Sequence, residues 1–169
     1  MSKNLINNEK LAVIGCSGLV GSSILRCALE KGYEVNGTMR NIEVSTKIKY
    51  LKKLKNFENL NLFKAEMSNE NDFNFCLQDI STLFIACLVP TYKGFDGTLA
   101  KELDDKRGYN EIIYPTVNGC INILKSAKKL EVKNVVICSS TSSTNPIPPV
   151  PIKNEIDHWS DEIEQCKSK

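Results

Sequence analysis

What this sequence has little of already excludes several chemistries. It holds one histidine, His158, and seven cysteines of which no two form a C-x-x-C pair. A zinc site needs Cys or His ligands at such short spacings, so none is readable here. Charge of one sign is also missing, because 22 Lys+Arg against 20 Asp+Glu leave a net +2. That balance supplies no general field for nucleic acid or acidic lipid. Long apolar runs are absent too. The first one, at 11–14, follows the polar stretch MSKNLINNEK and is far too short for a leader or a membrane span. An odd number of thiols with no leader predicts reduced cysteines in a cytoplasmic protein. Most of them read as small core hydrophobes.

What remains is a globular chain. With 41% hydrophobic and 25% charged residues it is not a disordered segment, and 169 residues predict a single domain over 1–169. Short apolar runs at 11–14, 33–38, 60–65, 82–87 and 134–138 read as strands. Helical spacing of apolar residues covers 19–31, 44–54 (Val44, Ile48, Leu51, Leu54), 70–77 and 110–130. Strands alternating with helices imply an α/β fold with a parallel sheet covered on both faces. Two stretches break the rhythm. The polar segment 91–108, beginning at Thr91 and holding Gly94, Gly97 and Gly108, reads as a surface loop in which Asp104 to Arg107 are solvated and without partners. Pro146, Pro148, Pro149 and Pro151 make a stiff, extended stretch.

The strongest motif is Gly15-Cys16-Ser17-Gly18-Leu19-Val20-Gly21, a G-x-x-G-x-x-G between a strand and a helix. In that setting Gly15 takes the tight turn, Gly18 lets backbone approach a pyrophosphate, and Gly21 lets helix and strand pack closely. The phosphate then meets unpaired N–H groups at the helix N-terminus. An NAD site carries an acid about 20 residues on, to bind the ribose 2′-hydroxyl. Here Gly37-Thr38-Met39-Arg40 stands instead, with Lys47 beyond it. Arg40 can grip a 2′-phosphate with its planar fork and Lys47 can add a point charge, which favours NADP over NAD. Lys49, Lys52, Lys53 and Lys55 read as a solvated helix face.

Together with Leu62 to Glu66, Asn110 to Gly119, Val135 to Ser140 and Trp159-Ser160-Asp161, these motifs make an ordered series over nearly the whole chain. The chain resembles the extended short-chain dehydrogenase/reductase superfamily, and within it the dihydroflavonol reductase and cinnamoyl-CoA reductase group. The resemblance implies a Rossmann-type doubly wound sheet of five strands in the order 3-2-1-4-5. It also implies NADPH as cofactor and reduction of a ketone or aldehyde on a small organic substrate. Within the cofactor-binding set it places Gly15, Ser17, Gly18, Leu19, Val20 and Gly21 at the pyrophosphate, and Arg40 and Lys47 at the 2′-phosphate. Glu66, where the family usually has aspartate, lies with Met67 near the adenine. Ala86 and Cys87 end the fourth strand on the nicotinamide side, where a histidine or threonine common in the family is replaced by Ile85, Cys87 or Leu88 depending on register. Ser140 matches the catalytic serine that polarises the carbonyl, with Ser139 and Thr141 as register alternatives.

The family also uses a Tyr-x-x-x-Lys, in which the lysine lowers the pKa of a proton-donating tyrosine. This chain contains none: four residues after Tyr33, Tyr50, Tyr92, Tyr109 and Tyr114 stand Gly37, Leu54, Asp96, Ile113 and Asn118. By the resemblance, Lys169 falls just upstream of that pair, so the expectation is a cofactor-binding half without the C-terminal substrate lobe, inactive in isolation. Such a half leaves the fifth strand near an open edge, which favours association, for instance as a homodimer. Two other functions suit the same residues. One is a non-catalytic dinucleotide-binding or interaction protein on the same fold. The other is an NAD-dependent epimerase or dehydratase, against which Arg40 speaks. His158 and the strand-end thiols Cys87 and Cys138 read as structural or solvated groups.

Overall fold

Alternate residues of the first strand face opposite sides of the sheet, and both sides are buried. In the computed structural model, which describes residues 9–43, 45–87, 93–144, 148, 150–154 and 156–159, this strand is β1 (Lys10–Ile14). Leu11 and Val13 join one apolar cluster with Leu25, Leu29, Val35 and Leu51. Ala12 and Ile14 join the other, with Phe73, Leu77, Leu83, Ile85 and Ile123. A strand apolar from Leu11 to Ile14 is what a doubly covered parallel sheet requires. Of the residues singled out above, Val44, Leu88, Thr91, Tyr92, Pro146, Pro149, Ser160, Asp161 and Lys169 lie outside the described residues, as does Cys166 of the seven cysteines.

After β1 come α1 (Leu19–Glu30), β2 (Glu34–Met39), α2 (Ser45–Leu51), β3 (Leu60–Lys64) and β4 (Thr82–Ile85). Then follow α3 (Asp105–Gly108), a π-helical turn (Tyr109–Ile113), α4 (Tyr114–Lys129) and β5 (Asn134–Ile137). The strands form one parallel sheet in the order β3-β2-β1-β4-β5, the expected doubly wound arrangement. Its chain order reverses between β1 and β4, where ligands of such sheets bind beyond the carboxyl ends. The described residues within Met1–Pro90 and Ile113–Cys138, which carry the whole sheet, form one compact unit. Those within Thr91–Ile112 and Ser139–Lys169 form a second. At the β5 end of the sheet Val135, Val136 and Ile137 are all exposed. No helix among the described residues is long and apolar enough to cross a membrane.

Two expectations need correction. Residues 70–77 do not form a helix; the chain from 70 to 79 is a series of turns. Its asparagines and aspartate supply the reason. Asn69 Nδ2 donates to Asp72 Oδ2, Asn74 Nδ2 donates to Asn71 Oδ1, and Asp72 Oδ2 also accepts the Glu66 N–H. Such side chains compete with the helical ladder and favour turns. The apolar spacing still holds, since Phe73, Cys76, Leu77 and Ile80 are all buried.

The second correction concerns the segment read as loop. Its last part is helical, because the Asp104 side chain accepts the Arg107 N–H at 2.8 Å and so caps α3. Nor is Arg107 solvated without partners. Within the second unit it bridges Glu111 (2.7 Å) and Asp96 (3.0 Å).

Candidate nucleotide-binding site

The turn after β1 is built around one carbonyl. Gly15 has φ +79°, a conformation that costs an ordinary L-residue roughly 1–2 kcal/mol. Its carbonyl accepts the Gly18 N–H at 3.0 Å, closing the turn. A β-carbon on Gly21 would fall on that same carbonyl, and one on Gly15 would lie 2.6 Å from Cβ of Cys87. Gly15 and Gly21 therefore interlock, and neither has room for a side chain without a shift, whereas a β-carbon on Gly18 would sit at ordinary contact distance, 3.4 Å from the Gly15 carbonyl oxygen.

α1 begins where this turn ends. Gly18 is its N-cap and supplies no side-chain hydrogen bond, and no acidic residue stands in the first turn. The first N–H groups of an α-helix have no acceptor within the helix. At this end they meet no local carboxylate either, and an anion there gains about 0.3–1 kcal/mol from the helix dipole in exposed settings. Leu19 and Val20, which flank the opening, are exposed, and Ser17 is half-buried. A cradle that a β-carbon would fill, opening onto bare helix amides, fits a pyrophosphate.

Arg40 is exposed just beyond β2. Burial pushes the Cys87 thiol up from its ordinary value, and the positive charge of Arg40 works against that rise. The guanidinium therefore acts on the strand-end residue that packs on Gly15. Cys16, on the other side of the turn, is fully buried and its thiol is pushed up to about 12, mainly by that burial. Among the register alternatives at the end of β4, Ile85 is buried in the core and Cys87 faces Gly15. Ala86 donates its N–H to the Ile14 carbonyl at 3.0 Å, continuing the ladder past β4.

The other expected residues have different surroundings. Lys47 is exposed on α2, and Glu66 is exposed after β3. Met67 packs against α4: its side chain leaves no room for a β-carbon on Gly119, and its carbonyl accepts Asn122 Nδ2 at 3.0 Å. Ser140 belongs to the second unit and is exposed. Its carbonyl accepts the Ser143 N–H and hydroxyl at the turn Thr141–Thr144.

One residue of this site was not picked out by its motif. Thr38, buried at the end of β2, receives the Gly15 N–H on its hydroxyl oxygen at 3.2 Å and the Cys16 N–H on its carbonyl at 3.0 Å. Its only trace in the sequence is a threonine two places before Arg40; its place opposite the last residue of β1 emerges from the strand register.

A doubly wound sheet with a glycine cradle at its switch point defines a dinucleotide-binding protein. The chain belongs to the NAD(P)H-binding family, whose model matches residues 15–166. Its relatives make it dihydroflavonol-reductase-like, within the extended short-chain dehydrogenase/reductase superfamily. It is 32% identical over 164 residues to the bifunctional dihydroflavonol 4-reductase/flavanone 4-reductase of Malus domestica, covering 95% of this chain and 43% of that protein. It is 30% identical over 157 residues to the anthocyanidin reductase of Arabidopsis thaliana, covering 91% and 43%. Among solved structures, vestitone reductase from alfalfa (Medicago sativa) superposes with a TM-score of 0.60 at 26% identity, over 90% of this chain and 43% of that one. Yeast methylglyoxal/isovaleraldehyde reductase Gre2, complexed with NADPH, shares the fold with a TM-score of 0.65 at 19% identity, over 94% and 48%. The chain thus spans less than half the length of each of these proteins.

Proposed function

We propose that the chain, read as one domain over 1–169, is the NADP(H)-binding part of a cytoplasmic oxidoreductase that reduces a ketone or aldehyde to an alcohol. The observation that carries this reading is the Gly15 carbonyl, which holds the Gly18 N–H and leaves no space at Gly21. Gly15, Ser17, Gly18, Leu19, Val20 and Gly21 receive the pyrophosphate on backbone amides. Arg40 grips the 2′-phosphate and Lys47 adds charge. Glu66 and Met67 border the adenine, and Ala86 and Cys87 border the nicotinamide. The bound cofactor supplies a hydride, and Ser140 donates a hydrogen bond that polarises the substrate carbonyl.

The named 4-reductions of one relative, on dihydroflavonols and flavanones, make a small carbonyl compound the substrate class of this reading. No Tyr-x-x-x-Lys stands in the chain to donate the proton, so nucleotide binding without turnover is expected of it. Fluorescence titration of the chain with NADPH, followed by an NADPH-oxidation assay against a panel of aldehydes and ketones, tests both halves. Saturable binding with no oxidation is the expected result, and a folded chain that binds neither NADPH nor NADH overturns the reading.

A further inference from the structure

The geometry points to Thr38 as a positioning residue that holds the pyrophosphate cradle in register with Arg40 and so contributes to the choice of NADPH over NADH. This rests on the cofactor reading above. β1 ends at Ile14, opposite Thr38. The next two backbone N–H groups, Gly15 and Cys16, both turn to Thr38, one to its hydroxyl oxygen at 3.2 Å and one to its carbonyl at 3.0 Å. Only the second is a continuation of the strand ladder. The first exists because Gly15 leaves the strand with φ +79°, and it depends on a side-chain oxygen at position 38.

Thr38 is 2% exposed, so water is a poor substitute for that acceptor. The junction is fixed at a third point as well: a β-carbon on Gly37 would lie 2.8 Å from Sγ of Cys16, so the loop seats against β2 without clearance.

Two residues beyond Thr38 stands Arg40, whose charge acts on Cys87, and Cys87 packs on Gly15. β2 therefore carries at its end both the residue that fixes the cradle and the residue that takes the extra phosphate. One ligand bridging the two sites needs them at a fixed separation, because misplacement of either end forfeits the binding gained at the other. NADH, which lacks the 2′-phosphate, makes no use of Arg40. Loosening the Thr38 contact thus harms NADPH more than NADH.

The experiment is a fluorescence titration of NADPH and NADH against wild type, Thr38→Val, Thr38→Ser, Arg40→Ala and the Thr38→Val/Arg40→Ala pair, each checked by thermal melting. Thr38→Val keeps the shape and removes the oxygen. It is expected to weaken NADPH about tenfold, equivalent to about 1.4 kcal/mol, and to narrow the NADPH-to-NADH ratio. Thr38→Ser restores both, and Arg40→Ala costs less in the Val background than alone, a coupling that a merely structural role would not produce. A wild-type chain that prefers NADPH, with a folded Val variant that keeps that preference, overturns the inference alone. Equal affinity of wild type for the two nucleotides overturns the cofactor reading and the coupling with it. Should the Val variant not fold, hydrogen exchange at the Gly15 amide of wild type decides: protection like that of the β1 ladder supports the contact, and rapid exchange overturns it.

Discussion

A β-carbon on Gly21 would collide with the carbonyl oxygen of Gly15. The first turn of α1 therefore lies directly on the loop that leaves β1. Gly21→Ala should cost about 1–3 kcal/mol, the usual range for overpacking a close contact. It should also weaken NADPH binding, since the helix must back away from the turn. Urea denaturation combined with an NADPH titration checks both effects in one preparation.

Cys87 reports on Arg40. Burial raises the thiol's pKa and the arginine charge offsets part of the rise. Removing that charge with Arg40→Ala leaves less thiolate at a given pH, and thiolate is the nucleophile. Alkylation of Cys87 by iodoacetamide at pH 8, followed by peptide mass spectrometry, should be slower in the variant, while the exposed Cys27 reacts at its former rate.

The segment from 70 to 79 shows where the sequence was legible and where it was not. The apolar positions Phe73, Cys76, Leu77 and Ile80 have helical spacing and are buried as that spacing predicts. The backbone shape was hidden by local chemistry, because Asn69, Asp72, Asn71 and Asn74 pair among themselves. Burial outweighs regularity here. Phe73→Ala should cost about 3–5 kcal/mol, like an aromatic deletion from any core, measured as a shift in the urea midpoint at unchanged slope.

The strands and the glycine turn were readable because continuous apolar runs and a strand–turn–helix pattern are local signals. The Arg107–Asp96 ion pair was not, since Asp96 reaches it from a turn well ahead of α3; the Glu111 pair, at i,i+4 spacing, was hidden only because that stretch read as a solvated loop. Thr38 was missed as the Asp96 pair was, its partner Gly15 lying 23 residues away.

The Arg107 cluster carries a pH dependence. Glu111 accepts the Phe95 N–H as well as the guanidinium, and Arg107 with that N–H holds its carboxyl below the ordinary value of 4.5. Asp96 is likewise held well below the usual carboxylate range, by the hydroxyl and N–H of Thr98 and then by Arg107. A lowered native pKa gives stability that is present above the unfolded value and lost as pH falls through the native one. The Phe95 amide should therefore be protected from hydrogen exchange near neutrality and lose protection below about pH 4.5. Glu111→Gln should lose much of that protection at neutral pH. Hydrogen exchange read by NMR distinguishes these outcomes.

On the proposed reading, the cradle at Gly15 and the arginine just beyond β2 together hold a phosphorylated dinucleotide. The most direct test of that reading is the ratio of NADPH to NADH dissociation constants for wild type and Arg40→Ala. The wild-type chain should favour NADPH by tenfold or more, on the order of 1.4 kcal/mol from a charge-assisted phosphate contact. In Arg40→Ala that ratio should fall toward unity while NADH affinity stays unchanged. Identical ratios in wild type and variant would contradict it.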